Sequence, residues 1–152
     1  MPPLVSDIDL SVDDRWLYVS CWGPGELKQY DVADIFNPVE TGSVRLGGIV
    51  RRQPHPAAPD QPLGGGPQMV EVSRDGRRAY VTNSLYGAWD DIFYPNGVGA
   101  WMAKLDTNPN NGGGLTADPR FFPHGDDFHG LRVHQTRLQG GDASSDSYCH
   151  TS

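Results

Sequence analysis

One short pattern occurs twice in this chain. Leu10-Ser11-Val12-Asp13-Asp14-Arg15-Trp16-Leu17-Tyr18-Val19-Ser20 returns as Val72-Ser73-Arg74-Asp75-Gly76-Arg77-Arg78-Ala79-Tyr80-Val81-Thr82, at a constant offset of 62 positions. Both copies run apolar, Ser, any residue, Asp, turn, Arg, two positions, Tyr, Val, hydroxyl. In each, the Ser/Asp pair can hydrogen-bond the backbone of a two-residue turn, and the Tyr-Val strand that follows is apolar enough to be buried between sheets. The repeat predicts a hairpin, twice. Two similar sheets in tandem are the mark of a propeller.

The rest of the chain arranges itself around the two copies. Val5, Ile8 and Leu10 alternate, Trp16 to Val19 is aromatic and β-branched, and Gly23-Pro24-Gly25 breaks the chain before Leu27 to Tyr30. A turn at Ile35-Phe36-Asn37-Pro38 leads to a fourth strand at 41–46, so residues 1–46 read as one propeller blade. Residues 47–67 are rich in Gly and Pro and read as a long surface loop, partly disordered. A second blade covers 68–107: the repeated hairpin, an aromatic-rich connection from Ser84 to Pro95, and a strand over 98–105. Leu105-Asp106 then matches Tyr30-Asp31 as the close of a strand. Residues 108–152 form a C-terminal closing segment that begins with a polar, Gly-rich turn. No helix of ordinary length is predicted, and 31–36 has room for one turn at most.

The fold class expected is therefore all-β, a fragment of a β-propeller. Two blades alone would expose lateral sheet faces and unpaired edges, which ring closure normally removes, and no polar cap is visible. The expectation is a piece of a larger protein whose upstream blades are missing, with Met1 an internal residue taken as a start.

Composition narrows the partners. The 152 residues carry a net charge of −7 and no basic stripe, which argues against nucleic acid or an anionic membrane surface. No run approaches the roughly 20 apolar residues of a membrane span. Met1-Pro2-Pro3-Leu4-Val5 has neither the basic start nor the apolar stretch of a signal peptide. A cytoplasmic location is favoured, with the periplasm as the alternative for a full-length parent. Cys21 and Cys149 stand in no metal-ligand spacing, and Cys21 reads as a reduced thiol packed beside Trp22 rather than a reactive one.

Five histidines are the obvious candidates for chemistry: His55, His124, His129, His134 and His150. Imidazoles suit a transition metal, copper above all, and propellers gather ligands where inner strands converge. His129 and His134 have opposite parity on an extended segment, so they could share an ion only if Gly130 bends the chain. The plainer reading of His124, His129 and His150 is exposed loop histidines. Asp13-Asp14 and Asp126-Asp127 suggest paired carboxylates, but neighbours on a turn point apart. Gln139-Gly140-Gly141-Asp142 lacks the flanking strand and helix of a phosphate loop and reads as a turn. Trp22, Trp89 and Trp101 read as packing aromatics, whereas Tyr86, Trp89 and Tyr94 could instead line a small-molecule pocket.

Several strings together resemble one family. They are Met1-Pro2-Pro3-Leu4-Val5-Ser6-Asp7-Ile8, Asp13-Asp14-Arg15-Trp16-Leu17-Tyr18, Gln29-Tyr30-Asp31, Gly65-Gly66-Pro67-Gln68-Met69, Tyr80 through Asp90 with Phe93-Tyr94-Pro95, and Gly140-Gly141-Asp142-Ala143-Ser144-Ser145-Asp146. In order and over nearly the whole chain they are similar to the C-terminal third of the selenium-binding protein family, whose characterised activity is methanethiol oxidase. The resemblance implies a propeller of about seven blades, of which this chain is about the last two plus the closing segment. It implies oxidation of methanethiol, a small thiol, with O2 and water to formaldehyde, hydrogen sulfide and hydrogen peroxide. Copper is the cofactor implied by bacterial members, with selenium named for animal ones. The histidine before the terminal Gly-Gly-Asp matches His134, which becomes the first candidate metal ligand with His129 second. Two positions depart: Pro24 stands where animal relatives have His, and Ala143 where Cys commonly follows Gly-Gly-Asp. The family's upstream histidines and its selenium-associated cysteine motif fall outside this chain. The rival reading is a non-catalytic propeller scaffold that binds selenium or a partner protein.

Overall fold

The computed structural model describes residues 1–144. Cys149, His150 and the Ser145-Asp146 end of the last string lie outside them. Two four-stranded antiparallel sheets follow one another along the chain. The first comprises β1 (Val5–Leu10), β2 (Trp16–Cys21), β3 (Glu26–Asp31) and β4 (Val39–Arg45) in that order. The second comprises β5 (Val70–Val72), β6 (Arg78–Thr82), β7 (Met102–Asp106) and β8 (Thr116–Ala117), again in order. These are two blades of a β-propeller, as expected. Among the described residues no helix is long and apolar enough to cross a membrane.

The echo in the sequence is an echo in hydrogen bonds. In the first hairpin the Ser11 hydroxyl donates to Asp13 at 2.5 Å and accepts the Trp16 N–H at 3.0 Å. In the second, the Ser73 hydroxyl donates to Asp75 at 2.6 Å and accepts the Arg78 N–H at 3.1 Å. Asp13 also accepts the Arg15 N–H, and Asp75 the Arg77 N–H. Each turn passes through a left-handed residue, Asp14 with φ 56° and Gly76 with φ 69°. The third strands end in register too, with Asp31 opposite Trp16 and Asp106 opposite Arg78.

The core lies between the sheets, where Trp16, Tyr18 and Leu27 of the first blade meet Val70, Val72, Ala79, Val81, Ala103 and Leu105 of the second. Gln29 crosses this interface as a buried polar tie. Its amide donates to Tyr18 Oη at 3.1 Å and to the Thr107 carbonyl at 2.9 Å, and its oxygen accepts the Gly114 N–H at 2.6 Å. All of its hydrogen-bonding capacity is turned inward, so burial leaves little unpaired. The opposite face of the first blade is open, with Ile8 and Leu10 exposed on it.

Three features differ from expectation or were not anticipated. The stretch 47–67 is partly interior: His55, Leu63, Gly65, Gly66 and Pro67 are buried. It runs so close to the first blade that a side-chain carbon on Gly66 would lie 2.5 Å from the Trp22 carbonyl oxygen. A short helix, α1 (Gly87–Phe93), occupies the aromatic-rich connection. The fourth strand of the second blade, only two residues long, falls within the stretch expected to be closing segment.

The paired hairpins lend themselves to a direct comparison. A side chain at Gly76 would meet nothing within 4 Å, so Gly76→Ala isolates the backbone cost of the left-handed turn and should lower stability by about 1 kcal/mol. Ser73→Ala, which strands the Arg78 N–H, should cost about 1–3 kcal/mol. Chemical denaturation of the two variants against the parent protein measures both.

Candidate functional site

The segment that follows Phe128 crosses the end of the second blade and is fastened to it by backbone. The Ser84 N–H donates to the Val133 carbonyl at 3.1 Å, and the Thr82 hydroxyl to the His134 carbonyl at 2.6 Å. These bonds hold His134 on a strand end. Its ring Nδ1 lies 3.0 Å from the Ser84 carbonyl oxygen. A carbonyl can only accept, so the network assigns the proton to Nδ1 and leaves the Nε2 lone pair free. That is the form in which histidine binds a metal ion, with the second nitrogen oriented by a backbone carbonyl. The ring is exposed, and Tyr86 sits 5.9 Å away, tilted by 31°. His134 is also near enough to Asp7 for a charge on the ring to favour that carboxylate, although burial dominates there and raises the Asp7 pKa above its ordinary value.

The other candidates do not converge on His134. His129 ends a turn of 3-10 helix (Gly125–Phe128) in a left-handed conformation, φ 52°, with its ring exposed. Gly130 beside it has φ 76°, so the chain does bend here. Even so, among the described residues no three His, Cys, Asp or Glu side chains group as a metal site. What this stretch of chain could offer a copper ion is one oriented imidazole nitrogen, that of His134.

His124 is exposed and stacked 4.5 Å from Phe122, whose other face stacks 4.1 Å from His55. His55 is 0 % exposed, and its Nδ1 accepts the Ala57 N–H at 3.1 Å. Its proton is then on Nε2, which is buried without a partner. This sandwich gave no local signal in the sequence, because its three rings come from segments nearly 70 residues apart.

The remaining constellations resolve into structure. Asp13 is spent on the first hairpin, and Asp127 accepts the His124 N–H at 2.9 Å as a cap, so neither carboxylate pair works as a pair. Tyr94 is buried at the edge of Trp22 and under the Arg52 guanidinium, with burial pushing its hydroxyl up to about 12. Tyr86 and Trp89 are exposed, so these three aromatics do not form one pocket wall. Cys21 is a free, buried thiol whose pKa is raised by burial and then by nearby Glu26, as suits an inert packing residue.

Gly141-Asp142 is a clamp. Asp142 accepts the Arg74 N–H at 3.0 Å and an Arg78 guanidinium N–H at 2.8 Å, while Arg74 Nε donates to the Gly141 carbonyl at 3.0 Å. Ser144 goes on to reach both blades, its N–H to the Val72 carbonyl and its hydroxyl to Asp9, each at 2.8 Å. An open groove of about 460 Å³ runs beside this clamp, bordered by Ile8, Asp9, Leu10 and Arg74, and His134 is not part of its wall.

A family model described as 56 kDa selenium-binding protein matches residues 1–149. The chain belongs to that family. It is 41% identical to a methanethiol oxidase of Xenopus tropicalis over 96% of its length, and 41% identical to a methanethiol oxidase of Homo sapiens over the same share. Selenium-binding protein 3 of Arabidopsis thaliana is 39% identical. The chain spans about a third of these relatives, 35% of the first two and 34% of the third. A solved structure of a hypothetical selenium-binding protein from Sulfolobus tokodaii superimposes with a TM-score of 0.85 and 57% identity, covering 98% of this chain and 31% of that one.

His55 is the group here with a clear pH signature. Burial lowers its pKa, with His124 as a smaller cause. The unfolded chain therefore takes up a proton near the ordinary value of about 6.5 while the folded state resists, and stability is lost as pH falls through that range. His55→Phe should show a shallower loss than the parent in urea unfolding measured above and below about pH 6.5. Equal slopes would assign the acid sensitivity elsewhere.

Proposed function

We propose that this chain is the C-terminal part of a methanethiol oxidase, an oxidoreductase acting on a small thiol with O2 as acceptor. The observation that carries the reading is the His134 imidazole, fixed by the Ser84 carbonyl with Nε2 free, in a chain about 41% identical to proteins named for that activity. The reaction is methanethiol, O2 and water to formaldehyde, hydrogen sulfide and hydrogen peroxide. The methyl carbon gives up two electrons, O2 takes them as peroxide, and the sulfur leaves as sulfide at its original oxidation level. Copper is the cofactor we assign, and the chemistry it supplies when bound is thiolate coordination and electron transfer to O2.

What this chain contributes is local. His134 offers a nitrogen lone pair in fixed orientation at a strand end, and His129 is the second choice as donor. Tyr86 lies beside the His134 ring as an apolar surface. The rest of the ligand set is assigned to blades outside this chain, consistent with the absence of a three-donor group among the described residues. The competing reading is a non-catalytic scaffold that binds selenium or a partner protein, and the name of the Arabidopsis relative supports its selenium-binding part alone.

Peroxide release from methanethiol by the full-length protein, with and without copper, separates the two. Activity in the copper-loaded form is expected, and its absence there would overturn the oxidase reading. His134→Ala should lower the copper bound per protein and abolish most of the activity. Unchanged copper content would return His134 to a structural role.

A further inference from the structure

Asp90, in α1, is 0 % exposed, and a buried carboxylate needs compensating partners. It has three. Its Oδ2 accepts the Ser84 hydroxyl at 2.7 Å and an Arg132 guanidinium N–H at 3.2 Å, and its Oδ1 accepts the Leu85 N–H at 3.3 Å. Arg132 is further held by the Gly87 carbonyl at 3.1 Å and by Asp91 at 2.5 Å. The helix itself is only seven residues long and has no side-chain cap, so these bonds fasten it together with the contact of Phe93 on Trp22.

The Leu85 N–H and the Ser84 carbonyl belong to one peptide group. At one end that peptide donates to Asp90, and at the other it accepts from His134 Nδ1 at 3.0 Å. Arg132, two residues before His134, is anchored on the same carboxylate. Asp90 thus holds both the acceptor that orients the imidazole and the segment that carries it. An anion on the N–H of a peptide also polarises its carbonyl, which strengthens the bond that the carbonyl accepts. We propose that Asp90 is a positioning residue for His134: through the Ser84-Leu85 peptide and Arg132 it locks the imidazole with the proton on Nδ1 and the lone pair on Nε2.

This inference rests on His134 being the metal donor, but its main test needs no metal. In the full-length protein labelled with 15N-histidine and held metal-free above the imidazole pKa range, the parent should show His134 as the Nδ1–H tautomer. Asp90→Asn should shift His134 toward a mixture containing the Nε2–H form, and raise the copper dissociation constant about 10–100-fold, as loss of an outer-shell partner does. A role confined to placing α1 would lower the unfolding temperature and leave the tautomer of the folded protein as in the parent. Ser84→Ala, which removes one of the bonds to Asp90 and keeps the carbonyl, is the milder variant and should give a smaller shift in the same direction. A His134 spectrum identical to the parent in whichever variants fold would overturn the proposal. Parent-level copper binding by His134→Ala would instead sink the ligand assignment and leave the tautomer result to judge Asp90 alone.

Discussion

Two carboxylates hold the blades together at their inner edge. β5 is an edge strand, and its outward N–H groups have no neighbouring strand in their own sheet. Asp7 of β1 accepts the Val70 N–H at 2.8 Å, and Asp9 accepts the Val72 N–H at 3.0 Å. Alternate residues of one strand thus satisfy alternate donors of the other, across sheets rather than within one. Burial raises the pKa of both carboxyls, and the N–H bonds work against that rise. The hydrophobic contact of Trp16 and Tyr18 with Val72 and Val81 lies behind this seam, and its geometry depends on the two sheets meeting in one register. An unpaired buried N–H would cost about as much as a lost hydrogen bond, so the seam selects against other registers.

The architecture was legible wherever its cause is local. Ser11, Asp13, Ser73 and Asp75 close their turns within five residues, so the turn chemistry is written next to itself in the chain. The helix α1 was not legible, because the partners that fasten it are distant: Asp90 meets Arg132, 42 positions away, and Phe93 packs on Trp22 of the first blade. β8 is two residues long and too short to show a period. The stretch 47–67 reads as loop by composition, yet Gly66 is there because the backbone must pass against Trp22, and Gly65 because it passes against Asn83, contacts that no pattern of polarity reveals.

The candidate site was legible to a lesser degree. His134 was singled out through family resemblance and not through spacing, and what fixes its tautomer is a carbonyl, which every residue possesses. His55 carries no local signal, since only the fold brings Phe122 onto its ring. The strings that carry the resemblance acquire physical meaning once folded: Ser84 and Asp90 are bonded to each other, and Asp142 and Ser144 tie the segment after the second blade back to both blades. Their specificity reflects long-range bonding, which is why local reasoning could recognise them without explaining them.

The last of those ties has a consequence for synthesis. The hydroxyl of Ser144 shares Asp9 with Val72, so the inner seam joins a residue near the start of this stretch to one 135 positions later. On the ribosome both sheets emerge well before Ser144 does, and until then their seam lacks its final strand-end partner. A nascent chain stalled ahead of this point would carry both blades with their joint incomplete, a state distinguishable from the finished protein by the accessibility of one short edge strand.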